Sequence, residues 1–326
     1  VILLQALTPG LLATVQDLGR PGYLDAGLPP SGALDPVALR AANMLAGNPP
    51  GAAALELTLW GGTWQCMAGG WVALAGASME ARWNGEALSG WRSLMLQPGD
   101  RLSFGQAREG CRAYLALQGG VDVPEVLGSR STYLRAGLGG LEGRAIRAGD
   151  LILGRTAAER GEESPAPREK SGIALTIDQS WIPRYLSPCT LRVLWGPQED
   201  RFPPETRETF ARECYRITEH SDRMGCRLQG PTLAPAGGSD ILSEPISPGA
   251  VQVTSDGQPI VLLADRQTAG GYAKIATVIS ADLWKAGQLR PGDQVRFRPV
   301  TLHEARSAWQ EHLQFLDDLH RNLLSF

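Results

Sequence analysis

"GAVQVTSDGQPIVLLADRQTAGGYAKIATVI", residues 249–279, holds three runs with the composition of β-strands, "GAVQVTS", "PIVLLAD" and "AKIATVI", punctuated by Asp-Gly and Gly-Gly. β-Branched and aliphatic residues in short runs bounded by turn formers mark strands rather than helices. The middle run leads into Asp265-Arg266-Gln267-Thr268, turns through Gly270-Gly271, and presents Tyr272 and Lys274 before the third run. Strand alternation puts Asp265 and Gln267 on one face and Arg266 and Thr268 on the other, so one set points into a core or its mouth.

The same pattern continues outward. Strand-like runs precede this region in "AALELTLWGGTWQC", "WVALAG", "SLMLQPGDRLSFG", "CRAYLALQGG" and "AIRAGDLILG", and "IALTI", "LRVLWG" and "QLRPGDQVRF" complete the second half. A chain so rich in strands and poor in helices is expected to be mainly β, with two barrels or sandwiches in tandem. Between them "TAAERGEESPAPREKSG", residues 156–172, has almost no large apolar residue and reads as a linker. The expected domains are therefore 1–160, 173–300 and a terminal helix over 301–326.

Gly99-Asp100, Gly149-Asp150 and Gly292-Asp293 each precede a strand, and Gly-Gly pairs stand at 119–120 and 270–271. Both readings stay open here, a common hairpin turn used repeatedly or an internal duplication. Three helices are expected. Asp35-Pro36 opens the first, which Gly47 stops; "PETRETFARECY" is the second; Thr301 and Glu304 form a capping box at the start of the last. Leu302, Ala305, Trp309, Leu313, Leu316, Leu319 and Leu323 make one apolar stripe on that helix, expected to pack on the chain's own barrel, while His312 and His320 read as solvated.

Charge and composition exclude several classes. Lys+Arg total 31 against 34 Asp+Glu in 326 residues, and no basic run offers the surface that nucleic acid or an anionic membrane needs. Five scattered cysteines without C-x-x-C, and four histidines, argue against a disulfide frame or a metal centre. The opening reads as strand and turn rather than a signal peptide, and no apolar run approaches the ~20 residues of a membrane span, so the cytoplasm is the expected location. Phosphate-loop, dinucleotide-binding, serine-elbow and zincin motifs are absent. So is the Ala-Met-Lys-Met type of tetrapeptide, and no covalently bound biotin is expected.

Three polar stretches remain. "TVQDLGRPGYLDAGLPPSGALD", residues 14–35, threads Gln16, Asp17, Arg20 and Ser31 among glycines including Gly32. Such glycines let backbone N–H groups approach a ligand, although the stretch also reads as a plain connection capped by Asp35. "EHSDRMGCRLQGP", residues 219–231, offers His220, Asp222, Arg223 and Arg227, as a site or as structural salt bridges. The third holds Asp265, Arg266, Gln267, Thr268, Gly270, Gly271, Tyr272 and Lys274, and reads either as a structural network or as a pocket where Lys274 and the glycine amides meet an anion.

These stretches, together with "AANMLAGNP", "LELTLWGG" and "LRPGDQVRF", resemble in order the KipA family, also called the biotin-dependent carboxyltransferase or allophanate hydrolase subunit 2 family. The resemblance covers roughly residues 5–300 and implies two tandem cyclophilin-like β-barrels. It also implies one of two enzymatic contexts. In urea carboxylase and urea amidolyase, carboxybiotin from another domain carboxylates urea. In 5-oxoprolinase, the C subunit works with the A and B subunits (the latter KipI-like) to open 5-oxo-L-proline to L-glutamate with ATP, expected with Mg and shared with a partner. A chain of this length is expected to be of the second kind; a third possibility is an antagonist that binds a KipI-like kinase inhibitor. On this resemblance Asp265 is expected to accept the amide N–H or act as base and Gln267 to orient the substrate. Arg223, Arg266 and Lys274 supply positive charge, and Gln16, Asp17, Arg20, Ser31 and Gly32 line another wall.

Overall fold

A computed structural model describes residues 1–156 and 174–324. The chain forms two compact units: Val1–Arg20, Ser31–Arg184 and Leu316–Phe326 make the first, and Pro21–Pro30 with Tyr185–Phe315 make the second. Apart from Thr156, the expected linker over 156–172 lies outside the described residues. The run "IALTI" adds to the first unit, where Ser93 N donates to Leu175 O at 2.8 Å and Ile177 N to Trp91 O at 3.0 Å.

The first unit holds eleven strands: β1 (Leu3–Thr8), β2 (Leu12–Gln16), β3 (Ala54–Thr58), β4 (Trp60–Ala68), β5 (Gly70–Ser78), β6 (Arg82–Trp83), β7 (Glu86–Ala87), β8 (Arg92–Leu96), β9 (Arg101–Gln106), β10 (Glu109–Leu117) and β11 (Leu151–Leu153). They build a six-stranded sheet in the order β11-β1-β4-β9-β6-β7 and a five-stranded sheet in the order β2-β3-β10-β5-β8. One core fills the space between the sheets: Leu4, Val15, Leu55, Leu57, Trp64, Leu74, Leu102, Phe104 and Leu115 belong to a single buried cluster. Helix α1 (Pro36–Ala46) lies against β5, β8 and β10. Its cap is the one expected, Asp35 Oδ1 accepting from Val37 N and Ala38 N at 3.0 Å each, and Gly47 closes it in the left-handed conformation.

The second unit closes a seven-stranded barrel from β12 (Cys189–Trp195), β13 (Cys214–Ile217), β14 (Gly225–Gln229), β16 (Ala250–Val253), β17 (Pro259–Leu262), β19 (Lys274–Val278) and β20 (Gln294–Pro299). A separate ribbon pairs β15 (Asp240–Pro245) with β18 (Ala269–Tyr272). Leu191, Val193, Val251, Val261, Ile275 and Phe297 are buried. Phe210 of α2 (Pro204–Arg212) stacks on Phe297 with centroids 4.4 Å apart. A short α3 (Leu283–Gly287) and α4 (Leu302–Leu324) complete the described helices. Among the described residues no helix is long and apolar enough to cross a membrane.

Two expectations need correction. Gly270 and Gly271 do not turn the chain: β17 ends at Leu262, the turn falls at Ala264-Asp265, and both glycines lie inside β18. Alternation therefore does not govern residues 265–268; Asp265 and Arg266 are both buried. The stripe expected on α4 is kept only in part. The capping box forms, with Thr301 N donating to Glu304 Oε2 at 2.7 Å and Glu304 N to Thr301 Oγ1 at 3.2 Å. Of its members Leu319 is buried and Ala305 and Leu316 are half-buried, but Leu302, Trp309 and Leu313 are exposed, and Ala308, outside the stripe, is buried instead. Small Ala305 and Ala308 let the helix approach Ile279 and Ala281 closely, which turns the larger side chains outward. His312 is half-buried, its ring stacked against Trp309.

Candidate functional site

In the second unit the nominated residues converge through backbone pairing. β14 and β17 pair Gly225 with Leu262, and past their ends Leu263 N donates to Met224 O and Asp265 N to Arg223 O. This register sets the two side chains opposite each other: Arg223 Nε donates to Asp265 Oδ2 at 2.9 Å and Nη2 to Oδ1 at 3.2 Å, with both buried. A buried guanidinium–carboxylate fork is the geometry in which desolvation is best repaid.

Arg266 is buried as well but differently bonded. Its Nε donates to Ile246 O at 3.1 Å and its Nη1 to Leu263 O at 3.4 Å; among the described residues Nη2 has no hydrogen-bond partner. Among the described residues it makes no ion pair, and burial lowers its pKa from the ordinary arginine value. Ile246 N in turn donates to Thr268 O at 3.0 Å, so Arg266 and Thr268 are both anchored to that residue. A Cβ built on Gly270 would meet the Ile246 side chain at 2.6 Å, Gln252 Nε2 at 2.9 Å and Gln267 Nε2 at 3.2 Å. Glycine there lets two side-chain amides crowd the strand; Gln267 itself is exposed and Tyr272 half-buried.

Lys274, on β19, is buried and its Nζ lies 2.5 Å from Glu244 Oε1 on β15. Gln198 Nε2 donates to the same Glu244 oxygen at 2.8 Å while Gln198 Oε1 accepts from Lys274 N at 3.1 Å. The Lys274 hydrogen bond, followed by that of Gln198, holds the Glu244 carboxyl below the usual range. Glu244, Gln198 and Gln252 were not picked out by sequence reasoning. Glu244 sits in a ribbon without apolar alternation, and Gln198 in a turn, so neither left a periodic signal. Gln252 left one, an amide within the apolar run "AVQV".

The first unit gathers the other nominated residues into its own network. Asp17 Oδ1 accepts from Gly19 N at 2.8 Å, Ser129 Oγ at 2.6 Å and Ser131 Oγ at 2.5 Å, and Oδ2 from Arg130 N at 2.6 Å. Arg20 Nη2 donates to Ser131 O, and Gln16 Nε2 and Ser31 Oγ both donate to Thr132 O, at 3.1 and 3.0 Å. Ser31 and Gly32 have positive φ, and a Cβ on Gly32 would meet Gly19 N at 2.8 Å. Gln16, Asp17, Arg20 and Ser31 are thus stitched to residues 129–132. Beneath them lies a second group that sequence reasoning missed: Tyr114 donates its hydroxyl proton to Glu56 Oε2 at 2.6 Å, and Glu56 Oε2 also accepts from Leu34 N at 3.1 Å. Arg112 Nε lies 3.6 Å from Glu56 Oε1. A lone acid in the apolar run "LELTL" was its signal.

The second unit also contains an open cavity of about 630 Å³, but Arg223, Asp265, Arg266 and Lys274 do not line it. Its walls come from β13, β14, β17 and the turns at 254–258 and 291–292.

The chain is 40% identical over 319 residues to the 5-oxoprolinase C subunit of Escherichia coli (strain K12), covering 97% of each chain. It is 37% identical to the 5-oxoprolinase C subunit of Haemophilus influenzae, covering 95% of each. A crystal structure of the K. lactis urea amidolyase superposes with a TM-score of 0.89 at 33% identity; the match covers 97% of this chain and 20% of that protein, so the chain corresponds to about one fifth of it. The family model for the carboxyltransferase domain, subdomain A and B, matches residues 26–299. With most of its length inside that match, and full-length relatives at this identity, the chain belongs to the carboxyltransferase domain family comprising subdomains A and B.

Proposed function

We propose that this chain is the C subunit of an ATP-dependent 5-oxoprolinase, acting in the cytoplasm with an A subunit and a KipI-like B subunit to open 5-oxo-L-proline to L-glutamate. The observation that carries the reading is end-to-end correspondence, 40% identity over 97% of both chains, with a protein named for that activity. The charge inventory of the second unit supports it. Arg223 is paired with Asp265 and Lys274 with Glu244, which leaves Arg266 as a buried cation without a carboxylate among the described residues. A buried charge is costly until an opposite charge meets it, so the cluster favours an anionic amide over a neutral one. 5-Oxoproline carries a carboxylate; urea does not.

In this reading Arg266 and Lys274 sit by the substrate's negative charge, Asp265 accepts from the lactam N–H or serves as base, and Gln267 orients the ring, with Thr268, Gly270, Gly271 and Tyr272 shaping the wall. Within the first unit, and separately from that site, Gln16, Asp17, Arg20, Ser31 and Gly32 are proposed as binding residues. Bound ATP would supply the phosphoryl group that activates the amide oxygen, leaving as ADP, before water opens the ring and phosphate departs. Among the described residues no three His, Cys, Asp or Glu side chains come together so as to hold a metal ion. No step is assigned to magnesium arriving with ATP. The test is reconstitution with the A and B subunits: ATP-dependent glutamate formation from 5-oxoproline is expected, with little by the chain alone. Carboxylation of urea by the chain with a carboxybiotin donor, without 5-oxoproline turnover in the complex, would replace this reading by that of a carboxyltransferase component.

A further inference from the structure

We propose that the open cavity of the second unit is an oxyanion site that takes a phosphorylated small molecule of about mononucleotide size. It stands independently of the 5-oxoprolinase reading, because it uses none of the residues assigned there. Gly225 pairs with Leu262 at the Asp265 end of the β14–β17 ladder, while the cavity begins at the other end, where Arg227 pairs with Ile260. Across β13 and β14, Arg216 is the direct partner of Gln229. Strand pairing thus lays two arginines and an amide side by side on one outer face of the barrel.

Several arginines of this unit are committed within it: Arg192 to Asp282, Arg223 to Asp265, Arg290 to Asp293 and Arg212 to Glu213. Arg216 and Arg227 differ; among the described residues neither forms an ion pair, and both line the cavity with His220. Thr218, also at this wall, is half-buried, and among the described residues its buried Oγ1 has no hydrogen-bond partner. Guanidinium forks match the oxygens of phosphate, and Pro259, Ile260 and Pro291 supply an apolar surface on which a ring can lie. At about 630 Å³ the space lies within the usual range for small-molecule sites and far exceeds a lone phosphate. Two carboxylates also line it. Asp256 Oδ1 is engaged by the Thr254 hydroxyl and Gln258 N, but its charge also acts on Arg227, and Glu219 is exposed, so both carboxylates oppose an anion that the two arginines must outweigh.

The test is titration of the intact chain with ATP, inorganic phosphate and L-glutamate by calorimetry at low salt. Saturable binding of ATP, tighter than that of phosphate, is expected. Arg216→Gln/Arg227→Gln should weaken it tenfold or more without moving the thermal midpoint, since both side chains are exposed, and Glu219→Gln should strengthen it severalfold. Weakening of ATP and phosphate by the same factor in the double variant also supports the site. Absence of saturable ATP and phosphate binding overturns the proposal, whether or not glutamate binds. So does an affinity indifferent to all of these substitutions.

Discussion

The Asp265 carboxylate is gripped at both oxygens by the Arg223 guanidinium, at 2.9 and 3.2 Å, where each side chain is no more than 6% exposed. The pair is therefore a structural element as well as a proposed catalytic one, and an alanine at either position confounds the two roles. Removing one partner of a buried ion pair costs about 3–5 kcal/mol, because the survivor stays charged in a dry place. Asp265→Ala and Arg223→Ala should each lower the thermal midpoint by several degrees. Arg223→Met/Asp265→Leu should recover much of that stability while remaining inactive in the reconstituted complex. Stability of the double variant below both singles would show that the pair does more than cancel its own charges.

Asp282 gives the clearest dependence on pH. Burial pushes its carboxyl up, but hydrogen bonds from Arg192 and Lys285 outweigh this and hold it below the usual aspartate value. Arg192 Nη2 and Lys285 Nζ each lie 2.7 Å from Oδ1. A depressed folded-state pKa contributes stability that is complete above the unfolded value of about 3.9 and disappears as pH falls through the folded one. Asp282→Asn should thus cost about 3 kcal/mol at neutral pH, and the gap from the parent chain should narrow below pH ~4. Urea denaturation at pH 7 and pH 3 measures both; an equal gap at the two values contradicts the assignment.

Much of the fold was legible because its signals are local. The Gly-Asp dipeptides are the best case. Gly99, Gly149 and Gly292 all have φ above 90°, and Asp100, Asp150 and Asp293 each accept from the backbone N–H three residues earlier, at 2.8, 2.7 and 2.9 Å. One turn is used three times, in both units. The Gly-Gly pairs did not behave alike: Gly119 and Gly120 have positive φ, whereas Gly270 was selected by the crowding of Ile246, Gln252 and Gln267, which no dipeptide announces. The site divided the same way. Asp265 and Lys274 stood out as charges among apolar strands, and so did Arg223, the partner of Asp265; but the companions of Lys274, Glu244 and Gln198, come from segments 30 and 76 residues away, and only the tertiary fold brings their ion pair and hydrogen bonds together.

That turn is itself testable. A Cβ on Gly149 would meet nothing within 4 Å, so its substitution probes backbone conformation alone. Gly149→Ala should cost about 1 kcal/mol for the left-handed φ. Asp150→Ala removes the bond from Arg147 N and the contacts from Arg144 Nη1 and Nη2 at 2.6 and 3.1 Å, and should cost more. Chemical denaturation of the two variants orders them; a larger loss in the glycine variant would mean that strain, rather than the aspartate's bonds, dominates the turn.

Glu56 and Tyr114 hold the Ser31–Asp35 segment from below, and their role can be separated from substrate contact. Tyr114 donates to Glu56 and accepts from Asp35 N at 2.9 Å. Burial, then the Glu56 charge, raises the phenol far above its ordinary pKa, so it stays a donor at every working pH. Tyr114→Phe leaves Glu56 with one fewer donor and strands the Asp35 amide, which should cost about 1–3 kcal/mol. Because Asp35 caps α1 and Ser31 and Gly32 lie four and three residues before it, the variant should raise KM in the reconstituted complex more than it lowers kcat. Glu56→Gln can still accept from the phenol and so should keep KM nearer the parent value, while costing about 3 kcal/mol of stability because buried Arg112 loses its counter-charge. A fall in kcat at unchanged KM would instead place this buried pair in the chemical step.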